Sequence, residues 1–136
     1  MAYHKAEYQK VTMYVLHSRP YRDTSAIITA FSNELGKLSF VAKGIRTKKN
    51  PKIALLQPFI PLSAELYGKN ELKNLAKLES LGIAISLNDT HLYSAMYLNE
   101  LLVRLLPVEI ACPDLFLRYE FLSLIHISEP TRLRSI

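Results

Sequence analysis

A single cysteine, Cys112, is all that the 136-residue chain contains. It excludes an internal disulfide and any zinc site built from several cysteines, and a reducing cytoplasm is the simplest home for such a chain. No uninterrupted apolar run approaches the length of a membrane span, and Met1 to Lys10 is too polar for a secretory signal, so no membrane partner is expected. Gly44 stands alone in the most basic stretch, which rules out a glycine loop of the kind that cradles phosphates. His4, His17 and His91 are scattered without ligand spacing, and no carboxylate motif accompanies them. Cys112, next to Pro113, reads as a small packed hydrophobe. The expectation is a protein that is not an enzyme and uses no cofactor and no metal.

What is present points elsewhere. Hydrophobic residues make up 49% of the chain, enough to build a core. The net charge of +5 hides an asymmetry. Residues 1–80 hold thirteen Lys/Arg against six Asp/Glu, whereas residues 81–121 hold two against five. A basic first segment joined to an acidic second one implies two modules with different tasks, the basic one suited to a polyanion.

The basic segment reads as strands. Gln9 to Arg19 is rich in Val, Thr, Tyr and Met, and Arg19-Pro20-Tyr21 is expected to end it, because proline donates no ladder bond. Ser25 to Ser32 follows, then a hairpin turn at Asn33-Glu34-Leu35-Gly36. In Lys37 to Lys43, Leu38, Phe40 and Ala42 share one face, with Ser39, Val41 and Lys43 on the other. Ile60, Leu62, Ala64 and Leu66 alternate with Pro61, Ser63, Glu65 and Tyr67. After Gly68-Lys69-Asn70, a last strand runs from Leu72 to Ser80, with Lys73 and Lys77 on a face opposite Leu72, Ala76 and Leu78. Five short strands with one long connection, Gly44 to Pro58, suit a small closed barrel, most economically an OB-fold.

After Ser80 the period changes. Asn88 or Asp89 is the expected N-cap of a helix whose Leu92 to Leu106 stretch is nearly all apolar, and Pro107 stops it. Pro113 fits the first turn of a second helix carrying Leu115, Phe116 and Tyr119. Two such helices cannot bury one another fully. The expected fold class is therefore α+β: residues 1–80 as a five-stranded OB-fold barrel for nucleic acid, and residues 81–121 as the first helices of a truncated all-α domain. Residues 122–136 are set apart. Leu122 to Arg132 matches, residue for residue, the translation of a common transposase-based sequencing adapter, so this tail is expected to be non-native.

The strongest chemical signal is Lys43-Gly-Ile-Arg46-Thr-Lys48-Lys49-Asn-Pro-Lys52, five cations in ten residues without an acid. Cations fixed on a loop neutralise phosphates and release condensed counterions. Arg19, Arg22, Lys37, Lys69, Lys73 and Lys77 are expected to extend the same face. Stacking on unpaired bases is the second requirement of a single-strand binder. Among Tyr14, Tyr21, Phe31, Phe40, Phe59 and Tyr67, most belong to the core, and Tyr21 and Tyr67 are the stacking candidates. The candidate DNA contacts are thus Arg19, Arg22, Lys37, Lys43, Arg46, Lys48, Lys49, Lys52, Lys69, Lys73, Tyr21 and Tyr67. A solvated basic loop on a protein-interaction module, or an RNA-binding OB protein, would show the same charge pattern.

Four segments carry a resemblance. They are Tyr14 to Ser25 (YVLHSRPYRDTS), Gly36 to Arg46 (GKLSFVAKGIR), Leu55 to Phe59 (LLQPF) and Tyr97 to Leu106 (YLNELLVRLL). In order and spacing they resemble the RecO family of bacterial DNA repair proteins, over about Tyr8 to Phe121. The resemblance implies an N-terminal OB-fold followed by a helical domain. It implies binding of single-stranded and duplex DNA, annealing of complementary strands, work with RecR, and help to RecA in displacing the single-strand binding protein SSB. Arg19, Arg22, Lys43 and Arg46 lie inside the matching motifs. Lys48, Lys49 and Lys52 lie in the variable part of the loop and rest on charge alone.

Overall fold

The computed structural model describes residues 8–47, 49–82 and 89–121. Five strands, β1 (Gln9–Tyr21), β2 (Ser25–Ser32), β3 (Gly36–Ala42), β4 (Leu62–Tyr67) and β5 (Leu72–Ser80), precede helix α1 (Asp89–Leu105). A second helix, α2, occupies 113–121 among the described residues. The strands close into a barrel in the order β1-β2-β3-β5-β4, with β4 returning to β1. This is the OB-fold, and closure leaves no long exposed sheet edge.

Period-two alternation builds the interior. Met13, Val15, Ile28, Leu38, Phe40, Leu62 and Leu66 are buried in one cluster inside the barrel, on the faces the alternation predicts. Outside it, Tyr14 and Leu16 of β1 and Phe31 of β2 form a second cluster with Leu102 and Leu106 at the end of α1 and with Phe116 and Tyr119 of α2. Phe31 meets Phe116 and Tyr119 edge-on, at centroid separations of 5.3 and 5.9 Å. The helices thus sit on one outer wall of the barrel. Leu92, Tyr93, Tyr97, Leu117 and Phe121 of these helices are exposed.

The long connection is not an open loop. Asn50 caps a short 3-10 helix, Pro51–Ala54, by accepting from the Lys52 backbone N–H. Ile45 and Leu56 reach the interior cluster and close one end of the barrel.

Three sequence expectations need correction. Pro20 does not end β1, because it pairs with Ala26 while β4 pairs with β1 only along Gln9 to Met13. On the far stretch the other edge of β1 has no strand neighbour, so a missing donor there costs little. The fourth strand starts at Leu62, after Ile60 and Pro61. Lys73 and Lys77 do not share a face. Glu65 pairs with Lys77 but Leu66 pairs with Leu75, so Ala76 is an extra residue, a bulge that shifts the phase and lets both Leu75 and Leu78 pack on the core. Pro107 and Pro113 fall where helix ends require. Asn88 and the 122–136 tail lie outside the described residues.

The helical segment is tied to the base of the barrel. The Glu109 amide donates to the Lys37 carbonyl at 2.8 Å. Gly36 adopts φ 71°, and a Cβ there would collide with the Ile110 carbonyl, so that position needs glycine both for its conformation and for the close approach.

Candidate nucleic-acid interface

The outer wall formed by the distal half of β1 with β2 and β3 meets the helical segment at its edges, where Glu100 of α1 lies 3.7 Å from His17 Nδ1 and Val108 borders the groove. Val15 pairs with Ala30 and His17 with Thr29, so Leu16 is a bulge that resets the phase of β1. Beyond it, His17, Arg19 and Tyr21 take the outward phase. Registers then lay out two rows of side chains across the wall. One runs Arg19, Ile27, Val41, Asn74, and the other His17, Thr29, Ser39, Leu72. Arg19, Ile27, Thr29, Ser39, Glu71, Leu72 and Val108 line a shallow groove of about 270 Å³. Thr29 Oγ1 and Ser39 Oγ lie 3.4 Å apart on its floor.

The predicted residues divide into three groups. Arg19, Arg22, Lys43, Arg46, Lys49 and Lys52 are exposed on the β1–β2 corner, on the distal stretch of β1 and on the connection that follows β3. Corner and connection are joined directly, since Arg46 donates from its backbone N–H to the Thr24 carbonyl at 2.8 Å and from its guanidinium to the Arg22, Asp23 and Ser25 carbonyls at 2.8–2.9 Å. Tyr21 is half-buried there, with the Arg22 guanidinium 5.0 Å from its ring centre. Lys48 lies outside the described residues.

A second group is engaged inside the protein. Lys73 is 5% exposed, its ammonium 3.2 Å from a Glu109 carboxylate oxygen and 3.1 Å from the Asn70 carbonyl. Lys37 donates to the Val103 carbonyl at 2.7 Å, where an ammonium satisfies a free carbonyl of the last helical turn. A third group sits by the β4–β5 turn. Lys69 is exposed, and Tyr67 is half-buried against Tyr8, ring centres 5.6 Å apart.

Ile27, Thr29, Ser39, Glu71 and Leu72 were not singled out from sequence. The phase of β2 was the available signal: Ala26, Ile28 and Ala30 face the interior, which leaves Ile27 and Thr29 to the outer wall. Glu71 carried none. Among the described residues no group of three or more His, Cys, Asp or Glu is arranged to hold a metal, and no helix is long and apolar enough to cross a membrane.

Comparison with known proteins fits this geometry. Residues 7–84 match the family described as "Recombination protein O N terminal". The chain belongs to that family. Relatives in the family match a longer stretch, 106–112 residues, which reaches into α1. A DNA repair protein RecO of Pseudomonas aeruginosa (strain UCBPP-PA14) is 52% identical over 106 residues, covering 78% of this chain and 44% of that protein. The RecO of Alteromonas mediterranea is 50% identical over 107 residues, covering 79% and 46%, and that of Pseudoalteromonas atlantica 47% identical over 112 residues, covering 82% and 47%. The chain spans a little under half the length of the RecO relatives it matches.

Proposed function

We propose that this recombination protein O member is a DNA-binding component of recombinational repair in the bacterial cytoplasm, which holds single-stranded DNA on the outer β1–β2–β3 wall and the adjoining basic connection. The observation that carries this reading is the convergence, on one end of an OB barrel, of Arg19, Arg22, Lys43, Lys49 and Lys52 with Tyr21, in a chain whose relatives are named DNA repair proteins. The cations supply counterion release, and the aromatic corner supplies a stacking surface. Lys73 and Lys37 are left out of the contact set, because their ammonium groups already have protein partners.

On this reading the barrel is the nucleic-acid module and the helices that follow begin a second unit. The protein works without catalysis: a basic wall screens the repulsion between two phosphate backbones, which is what strand annealing requires when no nucleotide is hydrolysed. Duplex DNA, RecR, SSB and RecA are the further partners that the family resemblance implies.

The test is fluorescence anisotropy with labelled oligothymidylate over a salt series, followed by competition with RNA of matched length. Binding that weakens linearly on a log–log salt plot, and prefers DNA, supports the reading. Preference for RNA would replace it with a different OB-fold binder.

A further inference from the structure

We infer that Arg46 is a positioning residue of the oligonucleotide site, setting the Tyr21–Arg22 corner against the basic connection and making no phosphate contact itself; this rests on the DNA-binding reading above. Four consecutive carbonyls, those of Arg22, Asp23, Thr24 and Ser25, all accept hydrogen bonds from this one residue. The guanidinium Nη2 donates to Arg22 and Asp23 at 2.8 Å each, Nε donates to Ser25 at 2.9 Å, and the backbone N–H donates to Thr24 at 2.8 Å.

A turn that brings three carbonyls, those of Arg22, Asp23 and Ser25, to one side chain is unfavourable by itself, since the dipoles repel and water would otherwise satisfy each oxygen separately. Arg22 adds to this by adopting φ 57°, the left-handed region that a residue with a Cβ avoids. Such conformations persist where the surroundings over-determine them. Here the surroundings are the planar guanidinium fork on three of these carbonyls, which a lysine cannot reproduce with a single ammonium, and the Arg46 backbone N–H on the fourth. The corner held in this way carries Tyr21 and the Arg22 guanidinium lying over its ring. Arg46 itself belongs to the connection that bears Lys43, Lys49 and Lys52. The stacking element and the phosphate-binding element therefore keep their mutual geometry through this residue.

The experiment is oligothymidylate binding by the chain and its R46K, R46Q, Y21A and Y21A/R46Q variants across a salt series. Amide hydrogen exchange on β3 to β5 serves as the check that each variant is folded. A positioning role predicts that R46K, which keeps the charge, weakens binding as much as R46Q does, by about tenfold, the loss of one stacked base. It also predicts that Y21A/R46Q binds no more weakly than Y21A, because both changes remove the same corner. R46K at parental affinity would overturn the inference and make Arg46 a phosphate contact, because the charge alone would then suffice. R46K alone decides the matter should R46Q fail to fold. No oligonucleotide binding by the parent would overturn the DNA-binding reading instead.

Discussion

The two outer walls of the barrel are built from the same two strands, yet they do opposite things. Tyr14, Leu16 and Phe31 are buried under α1 and α2, in contact with Leu102, Leu106, Phe116 and Tyr119. A few residues further along, Arg19 is exposed and shares an outward wall with Tyr21, Ile27 and Thr29, which α1 reaches only at its edge, through Glu100 beside His17. The bulge at Leu16 separates these regimes. Without the extra residue, Ser18 and Pro20 would take the outward phase and Arg19 and Tyr21 would point into the barrel, where an unpaired guanidinium is prohibitively costly. One inserted residue lets a single strand close the core, seat the helices and present cations.

The comparison can be broken at either wall. The largest expected effect is on the covered one: Phe31→Ala, at a position with no exposed surface and edge contacts to two aromatic rings, should lower stability by about 3–5 kcal/mol in urea denaturation. At the other wall, the double change Arg19→Glu and Lys43→Glu should weaken oligothymidylate binding by roughly a hundredfold at low salt. The salt slope should fall by about 1.4, while stability stays within about 0.5 kcal/mol, because exposed charges contribute little to folding.

A third change sharpens the division of the lysines. Lys73→Met removes an ammonium paired with Glu109, whose own side chain keeps partial access to water. Stability should fall by about 2 kcal/mol, less than for a fully buried pair, with no change in the oligonucleotide salt slope.

The smallest effect concerns pH. Burial, followed by the hydrogen bond to Glu120 and the charge of that carboxylate, raises the Tyr14 hydroxyl far above its ordinary value, and burial does the same at Tyr119. A phenol whose folded-state value is raised contributes stability that is complete below the unfolded value of about 10 and is lost as pH climbs past it. The chain should therefore lose stability above about pH 10 by far-ultraviolet circular dichroism. Tyr14→Phe should cost about 1 kcal/mol at neutral pH, through loss of the Glu120 hydrogen bond, and should shallow the alkaline decline.

Much of the barrel could be read from residue order because strand patterning is local. Ser25 to Ser32 and Leu72 to Ser80 have the bounds that alternation and turn residues predict. The inward phase of Leu38, Phe40 and Ala42, and of Leu62, Ala64 and Leu66, needed no knowledge of neighbours. The bulges at Leu16 and Ala76 were not legible, since nothing in a single strand marks where its partner skips a residue. That is why Lys73 and Lys77 were placed on one face. Lys73 and Lys37 illustrate the limit for the site as well. In sequence they are cations like Lys43 and Lys49. Only the return of residues 103–109 to the base of the barrel gives them a carboxylate and a helix-end carbonyl as partners.

Residue order by itself determined the chemistry that is available and its coarse placement: a β-rich basic half, an apolar helical continuation, one cysteine, and a run of cations between the third and fourth strands. Each of these follows from composition and from periods of two or about 3.6 residues, which side-chain geometry imposes before any distant contact forms. Tertiary structure decided which cations remain available. It seated the helices on one wall, left Arg19 of the other exposed, drew two lysines into internal partnerships, and turned the Arg46 guanidinium toward three carbonyls of a neighbouring corner. Those outcomes depend on segments far apart in the chain meeting in space, where desolvation and hydrogen-bond satisfaction set the cost of each alternative.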